Sequence, residues 1–162
     1  MPSSAAVEFP GMKLFPGAEL AEGMFTFHLY AADHNFQPVG KPLDTAVNKA
    51  DGSFAFTPRT FRSAGVYHFL VLEDTSSPLP GVSYDTTVYH ITVTVTDNGY
   101  GRLIPSGHVE TSEGLAAEQP VFENRPWKVP ETGDAMPLEA MLALCLFSLS
   151  ALIFLSRRRV HS

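Results

Sequence analysis

Residues 86–99 read TTVYHITVTVTDNG, and their period decides the fold class. Tyr89, Ile91, Val93 and Val95 fall on one side of the chain, and His90, Thr92, Thr94 and Thr96 on the other. Alternation at period two, rich in β-branched and aromatic residues and closed by Asp-Asn-Gly, predicts a half-buried strand ending in a tight turn. Working outward, GVYHFLVLEDT (65–75) alternates in the same way, as does FTFHLY (25–30), where Phe25, Phe27 and Leu29 share a face. SFAF (53–56) follows the turn pair Asp51-Gly52 and directs Phe54 and Phe56 inward. Arg102–Val109 and Pro120–Asn124 complete the predicted strands, and the segments 31–52 and 76–85 read as loops. No helical stripe longer than about two turns precedes Ala140. Short strands separated by turn signals predict an all-β, immunoglobulin-like β-sandwich over residues 13–125, after a lead-in at 1–12.

Composition narrows the function. The chain has 162 residues and a net charge of -6. The acidic excess lies in the predicted domain, which has no basic stripe, so nucleic acid is not an expected partner. Cys145 is the single cysteine, which excludes an intrachain disulfide and a thiolate zinc cluster. His28, His68 and His90 share a strand parity but lack a cysteine or clustered acid at ligand spacing, so neither a metal nor a cofactor is expected. Nucleophile–base sets and glycine-rich phosphate loops are also missing from the sequence, which argues against an enzyme.

The C-terminal end has a different character. RPWKVPETGD (125–134) is broken by proline and glycine and predicts a linker, assigned to residues 126–135. Residues 136–156 carry no charge apart from Glu139 near their start, and their length meets the roughly 20 residues that span a bilayer, so they are expected to form a transmembrane helix. Arg157, Arg158 and Arg159 would hold the basic tail 157–162 in the cytoplasm and leave residues 1–135 outside. MPSSAAVEFPGMKL at the start has neither a basic n-region nor an apolar h-region. Export therefore implies a longer precursor or another route of insertion.

Glu73 poses a specific question. It shares parity with Tyr67, Phe69 and Val71. Either that face continues and a carboxyl group is buried among aromatics, or the strand ends by Leu72 and Glu73 is in solvent. A buried carboxyl would need a cation or a retained proton.

Four segments in this order carry a resemblance: KLFPGAELAEGMFTFHL (13–29), DGSFAFTPRTFRSAGVYHFLVLED (51–74), YDTTVYHITVTVTDNGYGRL (84–103) and VFEN (121–124). They resemble the pilin isopeptide-linkage domain of Gram-positive surface pili. VPETG, the apolar segment and the arginine cluster resemble a sortase sorting signal of the LPxTG type, with Val129 in place of the commoner leucine. The resemblance implies an autocatalytic amide bond between Lys13 and Asn124, promoted by Glu73 as the buried acid. In that scheme a neutral Lys13 attacks, while a protonated Glu73 polarises the Asn124 oxygen and passes a proton to the departing ammonia. It further implies recognition of Val129, Pro130, Glu131, Thr132 and Gly133 by a sortase. The acyl group of Thr132 would then pass to peptidoglycan or a neighbouring pilin subunit, anchoring a structural protein in the Gram-positive cell wall. Lys41 and Lys49 lie in a predicted loop and do not match the family's lysine for linkage between subunits. A different class of function is a binding module for a host surface ligand in loops 31–52 and 76–85, but Phe36 and Tyr84 there are not clustered in sequence.

Overall fold

The computed structural model describes residues 3–127. Eleven strands run in chain order: β1 (Ala5–Leu14), β2 (Thr26–Ala32), β3 (Pro38–Val47), β4 (Ser53–Phe61), β5 (Gly65–Glu73) and β6 (Val82–Ser83), then β7 (Tyr89–Asp97), β8 (Leu103–Thr111), β9 (Ala116–Ala117), β10 (Val121–Glu123) and β11 (Arg125–Pro126). Six form one sheet in the order β3-β2-β5-β7-β8-β9, three form a second in the order β10-β1-β4, and β11 pairs with β6. All neighbours in the large sheet are antiparallel, whereas β1 runs parallel to β10. The all-β expectation therefore holds for the described residues.

The alternating sequence produces the sandwich directly. In β7, Tyr89, Ile91, Val93 and Val95 are buried while His90, Thr92 and Thr94 are only half-buried. Phenylalanines from the two sheets meet in the middle. Phe27 of β2 stacks on Phe54 of β4 with ring centroids 3.9 Å apart, and Phe69 of β5 meets Phe9 of β1 edge-on at 5.1 Å. Phe122 of β10 meets Tyr89 of β7 at 5.2 Å. Each such buried ring contributes about 1.5–3 kcal/mol, so these contacts hold the sheets face to face.

Two elements depart from the sequence-based expectation. Residues 38–47 lie in the predicted loop 31–52, yet they form the edge strand β3. Its residues are exposed on both faces apart from partly covered Asp44 and Ala46, so no apolar alternation marks it, and Pro38, Gly40 and Pro42 read as turn residues. Strand β1 begins at Ala5, within the stretch expected to be a lead-in. Pro10 and Gly11 mask it in the sequence, but Gly11 is required by packing, since a Cβ there would lie 2.2 Å from the Phe54 ring.

Among the described residues no helix is long and apolar enough to cross a membrane. The expected linker and sorting motif beyond Trp127, with Val129, Pro130, Glu131, Thr132 and Gly133, lie outside the described residues. So do the apolar segment 136–156 and the tail 157–162.

Candidate functional site: a buried lysine, glutamate and asparagine

The parallel pairing of the first long strand with the last creates the site. Lys13 is in register with Phe122 and Leu14 with Glu123, and the Asn124 N–H donates to the Leu14 carbonyl at 3.0 Å. With a side-chain period of two, Lys13, Phe122 and Asn124 face the same interior. Strand β5 supplies the third member from the opposite sheet, because Glu73 pairs with Phe27 at the end of its ladder. Glu73 is 4% exposed and continues the inward parity of Phe69 and Val71, so the buried alternative is the one the fold adopts.

Lys13 is braced from behind. Its N–H donates to the Gly52 carbonyl at 2.8 Å, and Gly52 has a φ of +86°. A Cβ at Gly52 would lie 2.2 Å from the Lys13 carbonyl oxygen, so the Asp51-Gly52 turn accepts only glycine without displacing β1.

The three polar side chains meet in the core. Lys13 Nζ lies 2.9 Å from Glu73 Oε2 and 2.8 Å from Oε1, with both side chains fully buried. Asn124, at 0% exposure, donates from Nδ2 to Glu73 Oε1 at 2.8 Å. Aromatic rings close the surroundings, with Lys13 Nζ 4.5 Å from the Phe25 ring centroid and 6.0 Å from that of Phe27. Burial lowers the Lys13 amine below its ordinary value, and the hydrogen bond and charge of Glu73 only partly oppose this. Burial likewise raises Glu73, against the opposing effects of Lys13 and Asn124. Both shifts favour moving a proton from the ammonium to the carboxylate, which leaves a neutral amine beside a carboxylic acid.

One part of the expected chemistry is held differently. Glu73 faces the nitrogen of the Asn124 amide, while the oxygen Oδ1 accepts from the Asp85 backbone N–H at 2.7 Å. An N–H facing one end of the amide and a carboxylate facing the other fix the orientation of Asn124. Sequence reasoning missed Asp85. Its only local signal is the Asp-x-Thr spacing to Thr87, whose N–H donates to Asp85 Oδ1 at 2.8 Å. The histidine parity leads to no ligand set, and among the described residues no cluster of histidine, cysteine and acidic side chains is placed to hold a metal.

Residues 9–125 match the family described as Spy0128-like isopeptide containing domain. A pilin of Streptococcus pyogenes serotype M1 is 44% identical over 48 residues, which cover 30% of this chain and 14% of that protein. The solved major pilin T-13 of S. pyogenes serotype GAS131465 superposes with a TM-score of 0.50 at 16% identity, covering 78% of this chain and 54% of that one. Another S. pyogenes major pilin gives a TM-score of 0.48 at 19% identity, covering 75% and 50%. The chain thus spans about half the length of these solved pilins and a smaller share of the sequence relative.

Proposed function

Because this chain belongs to the Spy0128-like isopeptide containing domain family, we propose that it is a structural cell-surface protein, the C-terminal domain of a pilin or wall-anchored adhesin, closed by its own Lys13–Asn124 amide. The observation that carries this reading is the convergence of Lys13, Glu73 and Asn124 within hydrogen-bond reach in a water-excluded aromatic core.

The chemistry needs no outside substrate. With its proton on Glu73, the neutral Lys13 amine attacks Cγ of Asn124, and the new C–N bond forms as the amide π electrons move onto Oδ1. Glu73 then shuttles protons so that Nδ2 departs as ammonia while the bond to Lys13 becomes a neutral secondary amide. One amine and one primary amide become one secondary amide and one ammonia, and the reaction runs once per molecule. The product closes a loop of about 100 residues, worth about 4.7 kcal/mol in chain entropy. That supplies the covalent closure that a single cysteine cannot.

In the same reading the VPETG motif is the sortase site, with Thr132 as the acyl donor to peptidoglycan or another subunit. The apolar segment 136–156 and the arginine tail hold the precursor in the membrane. Intact mass tests the central claim. The wild-type chain is expected about 17 Da below its sequence mass and the Glu73→Ala chain at full mass. Full mass in both would remove the isopeptide claim. Anchoring is tested separately in a sortase-bearing Gram-positive host. Thr132→Ala is expected to leave the protein in the membrane fraction, and unchanged wall attachment would refute the sorting assignment.

A further inference from the structure

The loop before β7 is fastened to the last strands at several points. Ser83 pairs with Arg125 through β6 and β11, on the far side of Asn124. Nearer β10, the Glu123 N–H donates to Asp85 Oδ2 at 2.9 Å, and the Tyr89 hydroxyl donates to the Val121 carbonyl at 2.7 Å. Between these fastenings, the Asp85 N–H points at Asn124 Oδ1. The Asp85 carboxylate is itself committed to two backbone donors, Thr87 and Glu123, so part of its charge is neutralised before it faces the site.

We infer that the Asp85 backbone N–H is the oxyanion donor of the amide-forming reaction, and that the Asp85 carboxylate positions it by clamping the loop to β10. This inference rests on the isopeptide reading above. When Lys13 attacks, negative charge grows on Oδ1, the atom this N–H already contacts. A fixed dipole in a water-excluded site needs no reorganisation at that moment, and losing one such donor typically slows a reaction by about 100- to 1000-fold. Two tasks first assigned to one acid are thereby divided. Asp85 stabilises the oxygen, and Glu73 handles the protons of the two nitrogens.

The test uses the purified full chain. Wild type, Asp85→Ala, Asp85→Asn and Glu73→Ala are followed by intact mass from the earliest fraction onward. Wild type at full mass would overturn the isopeptide reading itself. Given a reacted wild type, Asp85→Ala is expected to emerge partly unreacted and to lose ammonia at least about tenfold more slowly, with Asp85→Asn between them because it keeps one acceptor oxygen. Completion of Asp85→Ala at the wild-type rate would overturn the inference.

A second readout separates polarisation from simple bracing. In the Glu73→Gln background, where no bond forms, the 13C resonance of the Asn124 side-chain carbonyl is expected to move upfield when Asp85→Ala is added. An unmoved resonance would overturn the donor role even if the rate fell. Because this signal is read in unreacted protein, it tests the Asp85–Asn124 contact independently of the reaction rate. Should Asp85→Ala fail to fold, Asp85→Asn carries both readouts.

Discussion

Two asparagines in this domain are fully buried, and their surroundings differ in one respect that decides what each can do. Asn48, just after β3, accepts the Phe25 N–H at 2.8 Å and donates to the Ala21 and Lys49 carbonyls at 2.8 and 3.0 Å. All its partners are backbone groups, so it pins a loop and its amide has no nucleophile bonded to it. Asn124 is equally enclosed, but one of its partners is a carboxylate that also holds an amine. Burial with satisfied hydrogen bonds makes a clamp. Reaction requires a proton acceptor and a nucleophile sealed in with the amide.

Removing the proton carrier gives the largest expected effect on this contrast. Glu73→Ala should leave the chain at full mass and lower its stability by about 4.7 kcal/mol or more, the chain-entropy term of the lost cross-link, seen as a large fall in the urea midpoint. Asn48→Ala comes next. It leaves the buried Phe25 N–H without its acceptor, while the Ala21 and Lys49 carbonyls keep the Met24 and Gly52 N–H groups, at a cost of up to about 3 kcal/mol, yet the ammonia loss should persist. If Asn48→Ala also abolished the mass change, the two asparagines would not have separate roles.

Gly52→Ala is a smaller change that acts on the reactive site from behind. The positive φ and the contact with the Lys13 carbonyl should cost about 1–3 kcal/mol, and the displaced β1 should slow ammonia loss without preventing it. Finally, Lys13→Met leaves Glu73 buried without its cation or its reaction. Burial holds the folded carboxyl above its ordinary value of 4.5, so the folded state binds the proton more tightly than the unfolded chain does. Its stabilising contribution is full below about 4.5 and lost as pH rises through the raised folded value. Urea midpoints measured across that range should therefore decline with pH. A flat profile would mean that Glu73 reaches solvent once Lys13 is gone.

The fold was legible where one face of a strand packs against the core. β2, β5 and β7 carry apolar alternation and the sequence places each of them within a few residues, whereas β4 runs on to Phe61, five residues past the expected SFAF, and β8 buries only Leu103 and was placed by its turn signals. β3 was illegible because exposure on both faces leaves no period to read. The buried fate of Glu73 was implicit in its parity with Phe69 and Val71, but parity alone could not say where the strand stops. Asp85 was beyond reach for another reason. Its decisive contact is a backbone N–H directed at a side chain 39 residues away, and no residue type announces where a main-chain donor will point.

The parallel pairing of β1 with β10 has a consequence in time. β1 is made first and β10 among the last strands of the domain, so neither reactive partner meets the other until the intervening strands have been synthesised and placed. Long-range pairing of this kind is the slowest part of folding, because loop-closure entropy is met before any contact rewards it. An amide between these strands would therefore form only in molecules that had completed the fold. Since the ammonia escapes, the bond would keep a permanent chemical record, readable by mass, that each molecule once folded to completion.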